Sequence, residues 1–271
     1  MKHGITMLTP LRVIVNGASG KMGTIATQTL HQQSDFNIVA ELGKKHDLEK
    51  EIQRLAPDFV VDLTNADAIR QNMQTIIKTR VPAVIGTTGL SAEQIAEYKQ
   101  QCDAQKQGVI LAPNFSISVL LMMKYAEDAA RYFSEVEIIE MHHPQKLDAP
   151  SGTARKTARM IAKNLQTTGK LGEYYSPLQQ DVVGANNIRP NQSRGGQYDG
   201  NHIPIHAIRL SGKMAHQQII FGSIGETFTL QQDTLSRECF MPGFLVACRA
   251  IRTLNHFVEG LENILWPSTD H

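Results

Sequence analysis

From residue 12 to residue 114 the chain alternates between two textures. Short apolar runs rich in β-branched residues stand at 12–16, 37–42, 59–63, 83–86 and 109–112. Between them lie stretches of helical composition at 21–33, 47–55, 66–79 and 91–106. Strand, helix, strand in repetition predicts a parallel sheet with crossover helices. The strand runs are apolar at consecutive positions, as expected of strands covered by helices on both faces. Ser91 followed by Gln94 has the spacing of a capping box and predicts a helix start.

Beyond residue 115 the pattern changes. Residues 116–133 predict one long helix, apolar enough in its first half to be largely buried. A strand is expected at 135–143 and an amphipathic helix at 152–165. On that helix Ala154, Ala158, Ile161, Ala162 and Leu165 share a face, and Arg155, Lys156, Arg159 and Lys163 form a solvated one. Residues 166–201, with Ser193-Arg194-Gly195-Gly196 near their end, predict a long connection, either a mobile loop or an excursion to a neighbouring subunit. Two β-rich runs with alternating apolar residues follow, at 202–210 and 216–234, and 236–264 returns to helical texture around Pro242-Gly243. The fold class is therefore α/β: a Rossmann-like doubly wound parallel sheet, then an α+β part with a mostly antiparallel sheet, then closing helices.

At 271 residues the chain can build one large domain or two smaller ones. The formal net charge is +1, so no global field favours nucleic acid or an anionic membrane, and any attraction for an anionic ligand must be local. Cys102, Cys239 and Cys248 are scattered, with neither metal-ligand spacing nor a disulfide framework, and are expected to be buried thiols that fill space. No apolar run is long enough to span a bilayer. Residues 1–10 lack the apolar stretch of a signal peptide and read as a short disordered extension, with Met7 an alternative start. A cytoplasmic location is the default expectation.

Gly17, Gly20 and Gly23 follow the first strand and open the first helix. A phosphate needs this arrangement: glycine lets the backbone turn and approach, and free N–H groups at the helix start face the anion. The spacing is G-x-x-G-x-x-G, with Ser19 in the middle position. Glu41, at the end of the second strand, can accept hydrogen bonds from both ribose hydroxyls of an adenosine, which favours NAD(H). Lys44 and Lys45 follow at once and could neutralise a 2′-phosphate, which favours NADP(H), or simply belong to a solvated loop. Charge leaves the choice open. Gly86-Thr87-Thr88-Gly89 and Ala112-Pro113-Asn114-Phe115 follow the fourth and fifth strands, where a doubly wound sheet presents its ligand-binding edge.

The most informative segment is 139–154, where His142, His143 and Lys146 lie between a strand and a helix start. Neighbouring strand side chains point to opposite faces, and no third ligand stands nearby, so a metal reading is weak and none is expected. Imidazole titrates at about pH 6.5 and can give a proton at cellular pH. Lys146 is a cation able to hold a carboxylate or assist protonation. Pro150 and Ser151 precede a helix whose first N–H groups, at Gly152 and Thr153, lack intrahelical partners and form a carboxylate site. Ser151 also reads as the helix cap, and Asp148 as a residue that orients the loop.

Four pieces, Gly17–Gly23, Gly86–Gly89, Ala112–Ser116 and Glu140–Ala154, resemble the 4-hydroxy-tetrahydrodipicolinate reductases (dihydrodipicolinate reductases) of bacterial lysine biosynthesis, in order and rough spacing over nearly the whole chain. The resemblance implies a dinucleotide-binding domain at 1–116 and 237–271, and a substrate-binding and tetramerisation domain at 117–236. It implies NADH and/or NADPH as cofactor, a cyclic dicarboxylate as substrate and a homotetramer. It assigns proton donation to His142 and Lys146, and substrate binding to His143, Lys146, Gly152 and Thr153. Cofactor binding falls to Gly17, Ala18, Ser19, Gly20, Lys21, Met22, Glu41, Lys44, Gly86, Thr87, Thr88, Ala112, Pro113, Asn114 and Phe115. The chain departs from the pattern at Ser118, where glycine is usual, at Ala215 and Gln217, and in a short linker between Glu41 and Asp58. Two other readings remain: a different dinucleotide-dependent oxidoreductase, acting on an amino acid or a polyol, and a non-catalytic dinucleotide sensor.

Overall fold

The computed structural model describes residues 9–133, 135–167 and 203–267. Most of the extension expected at 1–10 and of the connection expected at 166–201, Ser193 to Gly196 included, lies outside the described residues. Contacts divide the chain into two units, the described residues of Met1–Ile117 with Arg237–His271, and those of Ser118–Ser236.

In the first unit the β-branched runs become β1 (Leu11–Asn16), β2 (Phe36–Leu42), β3 (Phe59–Asp62), β4 (Ala83–Ile85) and β5 (Val109–Leu111). Every residue of β3, β4 and β5 is buried, which is why these strands carry no polar alternation. The helices between them are α1 (Lys21–His31), α2 (Leu48–Leu55), α3 (Ala66–Thr79) and α4 (Ala92–Ala104). Side chains cap three of them. Asp47 accepts from Lys50 N, Asn65 from Asp67 N and Ala68 N, and Ser91 with Gln94 closes the expected capping box.

The all-parallel sheet runs β2–β1–β3–β4–β5 and ends in a sixth strand, Phe257–Glu259. The helical texture expected over 236–264 is corrected here. A 3-10 turn at Arg237–Phe240 leads into a ten-residue helix, Met241–Ala250, and the chain then extends to pair with β5 before a short closing helix, Glu262–Leu265. Asp103 Oδ1 accepts the Phe257 amide at 2.7 Å and fixes that strand's start. From β1 the chain goes outward to β2, then returns past β1 to β3 and onward. The direction of winding reverses between β1 and β3, and a ligand crevice opens beyond their carboxyl ends. Cys102 and Cys248 are buried in this unit, as expected, whereas Cys239 is only half-buried; burial pushes the Cys102 thiol to about 11 and that of Cys248 well up.

In the second unit α5 (Ile117–Ala129), β6 (Glu135–His142) and α6 (Gly152–Thr167) precede β7 (Ile205–Arg209), β8 (Ala215–Ser223) and β9 (Glu226–Thr234). The run 216–234 is not one strand but a hairpin, reversed at Ile224-Gly225, where Gly225 has φ +82°. The sheet order is β7–β6–β8–β9, with β6·β7 parallel and the other two pairs antiparallel. Ala154, Ala158, Ile161, Ala162 and Leu165 of α6 are all buried, against Ile138, Ile205, Ile219 and Phe221 of the sheet and the apolar face of α5. Full burial of Ile161 or Leu165 stabilises by about 1.5–3 kcal/mol each. The positions that depart from the family pattern make internal bonds. Gln217 Nε2 donates to Thr157 Oγ1 at 2.9 Å, and Ser118 Oγ accepts from Gln232 Nε2 at 3.2 Å. Among the described residues no helix is long and apolar enough to cross a membrane.

Candidate active site

The glycine turn sits at the crevice between β1 and β3. Gly17 has φ +86°, and a Cβ there would lie 2.6 Å from the Leu63 carbonyl. A Cβ on Gly23 would come within 2.0 Å of Gly17 O, so only glycine lets α1 lie this close to the turn. Two cavities open around it. One, of about 550 Å3, is lined by Ala18 and Ser19, by Thr24, Thr27 and Gln28 of α1, and by Glu41 to His46. The other, of about 500 Å3, is lined by Gly20 to Met22, Leu63, Thr64, Gly86, Thr87, Pro113 to Phe115, Arg237 and Phe240. An adenosine fits the chemistry of the first, with a carboxylate and two lysines at its mouth. The second has a T-shaped Phe115–Phe244 pair behind it and a polar rim of Thr87 and Asn114. The cradle thus fits a dinucleotide. Gly17 and Ala112 line neither cavity and shape the turn and strand end instead, and Thr88 is exposed.

Asp62, at the end of β3, ties this edge together and was not singled out from the sequence. It is fully buried. Its two oxygens accept from Asn16 Nδ2 at 3.0 Å, Asn72 Nδ2 at 2.7 Å, Thr64 Oγ1 at 2.6 Å, Thr64 N at 3.1 Å and Thr87 Oγ1 at 2.9 Å. One carboxylate therefore pins the ends of β1, β3 and β4 and the inner side of α3. Glu41 faces His31 Nε2 at 3.5 Å.

The second unit carries the histidine segment. His142 ends β6, opposite Arg209 of β7. Its Nδ1 lies 2.5 Å from Glu140 Oε2, two residues earlier on the same face of the strand. Glu140 is 0% exposed. Arg209 grips it with both terminal nitrogens, at 3.0 and 2.9 Å, and the Ser151 amide donates to it at 3.1 Å. Burial acts to raise the Glu140 carboxyl, but the hydrogen bonds and charges of His142 and Arg209 outweigh it and hold the group below the usual carboxylate range.

The loop after His142 folds back on this cluster. Arg209 donates to the carbonyls of Asp148, at 2.6 Å, and Lys146, at 3.4 Å. The Lys146 ammonium rests on Asp148 Oδ1 at 2.8 Å. Burial raises the Asp148 carboxyl, yet the Lys146 contact with nearby amides, Gly152 among them, pulls it down overall. Asp148 thus ties the loop at both ends of its own residue, its carboxylate to Lys146 and its carbonyl to Arg209. His143 Nδ1 meets Gln145 Oε1 at 3.2 Å. Ser151 caps α6 by accepting from Ala154 N at 3.2 Å, and the space beside Gly152 is open. His142, Lys146, His143, Gly152 and Thr153 are therefore brought into one short stretch of strand end, loop and helix start. Sequence reasoning missed Arg209, whose partner is 69 residues away, and passed over Glu140. The alternation of β6 was the signal that could have found Glu140.

Comparison with known proteins gives the family of the chain. The family descriptions "Dihydrodipicolinate reductase, N-terminus" and "Dihydrodipicolinate reductase, C-terminus" match residues 11–115 and 118–265. The chain is 46% identical over 255 residues to a 4-hydroxy-tetrahydrodipicolinate reductase of Coxiella burnetii, covering 94% of this chain and 99% of that one. It is 46% identical over 254 residues to one of Legionella pneumophila, with the same coverage. Among solved structures, the dipicolinate-bound dihydrodipicolinate reductase of Paenisporosarcina sp. TG-14 superposes with a TM-score of 0.80 at 38% identity, covering 94% of this chain and all of that one. With both halves matched and relatives this similar along their full length, the chain belongs to the dihydrodipicolinate reductase family.

Proposed function

We propose that the chain reduces 4-hydroxy-tetrahydrodipicolinate to tetrahydrodipicolinate with NAD(P)H, releasing water, as a step of lysine and diaminopimelate biosynthesis. The observation that carries this reading is the stretch 140–153. It gathers in one short stretch an imidazole held by a buried carboxylate, an ammonium resting on Asp148, and a helix start with open space beside Gly152. A doubly anionic ring needs such anchors, and the solved relative carries dipicolinate, a ring of that class. The first unit acts as the dinucleotide domain and the second as the substrate and assembly domain.

When bound, the reduced nicotinamide supplies a hydride. Ala18 to Met22, with Pro113 to Phe115, Gly86, Thr87 and Thr88, hold the dinucleotide, Gly17 and Ala112 shape the cradle around it, and Glu41 and Lys44 meet its adenosine. Lys146 and His143, with the amides of Gly152 and Thr153, hold the substrate carboxylates, displacing Asp148 from Lys146. Loss of the 4-hydroxyl leaves a conjugated imine in the ring. His142 delivers the proton, with Lys146 as the second donor. Because Glu41 lines the same cavity as Lys44 and Lys45, both NADH and NADPH are accepted. The sheet face opposite α5 and α6, with Ile139, Met141, Ile208 and Ile220, joins copies into a homotetramer.

The test follows loss of NAD(P)H absorbance in a coupled assay with the preceding synthase, using each cofactor in turn. The expected result is turnover with both; a hundredfold bias to one ends the dual-use reading. A polyol or amino-acid substrate that turns over in place of the dicarboxylate ends the main one. His142→Gln is expected to lower kcat by about a hundred- to ten-thousand-fold, the usual share of a positioned proton donor. A variant that keeps kcat and raises only KM removes His142 from that role.

A further inference from the structure

We infer that Glu140 is a positioning residue for the reaction, fixing the tautomer and orientation of His142 so that Nε2 is the atom that hands over the proton. The inference rests on the reading of His142 as the acid and names what aims it.

Three observations support it. First, the contact is directional. An ionised carboxylate has no hydrogen to donate, so at 2.5 Å the proton must sit on Nδ1. Glu140 is held below the usual carboxylate range and is therefore ionised at neutral pH. Whether His142 is neutral or protonated, Nδ1–H stays engaged and the exchangeable proton rides on Nε2. Second, the carboxylate cannot swing away. It is fully buried, and the bidentate Arg209 fork and the Ser151 amide fix both its oxygens. The imidazole inherits that rigidity, as histidines do elsewhere when a carboxylate holds their second nitrogen. Third, the Ser151 amide is the last before Gly152 and Thr153. One carboxylate thus aligns the acid of β6 with the helix start that takes the substrate anion. A group there only to neutralise Arg209 needs neither the histidine nor the Ser151 contact.

The test is a double-mutant cycle. Glu140→Gln keeps the shape and can still accept from the Ser151 amide, but it loses the charge that demands Nδ1–H. It is expected to lower kcat by about 10- to 100-fold, the usual cost of losing such a second partner, and to leave KM for the dicarboxylate within about threefold. In a His142→Gln background the same change is expected to alter kcat by less than about threefold, because its effect passes through the imidazole. Nitrogen-15 chemical shifts of His142 are expected to report the Nδ1–H form in the native protein and a mixture in the variant. Glu140→Asp guards against misfolding, since it keeps a charge against Arg209 while drawing it back from Nδ1. The same loss of kcat, absent from the His142→Gln background, is expected of it. An equal fall in kcat in both backgrounds, or an unchanged His142 tautomer, overturns the inference and leaves the acid assignment standing. Native turnover by His142→Gln overturns both.

Discussion

At Glu140 the chain holds a carboxylate that water does not reach, and its three partners come from β6, β7 and the loop before α6. A buried charge of this kind persists only while it is paired. Arg209 is itself only 9% exposed on its side chain, so Glu140 is its buried counter-charge, while His142 and Arg209 together hold Glu140. Arg209→Met is therefore expected to destabilise the fold by about 3–5 kcal/mol, the usual cost of leaving one partner of a buried pair alone. Replacing both, Glu140→Gln with Arg209→Met, is expected to recover much of that loss; urea unfolding of the single and double variants measures it. The sequence put His142, His143 and Lys146 in view because three such groups in five positions are hard to explain as structure. It could not put Arg209 there. The register that sets Arg209 opposite His142 is a property of the β6·β7 pairing, and no local pattern encodes it. Glu140 was legible in principle, two positions from His142 on an alternating strand, but an acidic residue in a strand reads by default as solvent-facing.

Among the elements, the strand, turn and helix of β1 and α1 were fully legible, since a glycine turn between an apolar run and a helical stretch has few other meanings. Two elements were not. The hairpin of β8 and β9 turns at Ile224-Gly225, and Ile224, 99% exposed at the tip, is an apolar residue that hides the turn within a β-rich run. The strand Phe257–Glu259 is three residues long and exists because β5 offers it an edge and Asp103 receives its first amide, both distant in sequence. Asp62 follows the same logic. Nothing in its local sequence sets it apart, yet it gathers donors from β1, the β3–α3 turn, α3 and the loop after β4. Asp62→Ala strands those buried donors at about 1–3 kcal/mol for each left unsatisfied. The expected outcome is a lower melting temperature together with weaker NAD(P)H binding, read by nucleotide fluorescence. Since the loops after β3 and β4 line the second cavity, a variant that melts early but binds the nucleotide normally would separate Asp62 from the cofactor edge.

Over the whole molecule, every described carboxylate whose proton affinity is clearly displaced on folding is displaced downward. The causes differ. Asp35 is held mainly by the Arg249 hydrogen bond. Asp103 resists the upward push of burial through the Phe257 amide and Lys99, and Glu140 does so through His142 and Arg209. Several of these contacts join elements far apart in sequence, so acid acts on the seams within each unit. In acid the unfolded chain binds more protons than the folded one, and stability therefore rises with pH there. The contribution is fully present above the unfolded carboxylate values, about 4 to 4.5, and drains away as pH falls through the lower folded ones. The alkaline edge has the opposite sign. Folding raises the Cys102 thiol to about 11 and Cys248 further, so above about pH 8.5 the unfolded thiols ionise first and stability falls. The expected profile is a plateau between roughly pH 4.5 and 8.5 with a slope on each side. Urea midpoints across that range measure it. Asp35→Asn is expected to flatten the acid slope without moving the alkaline one, and Cys102→Ala the reverse.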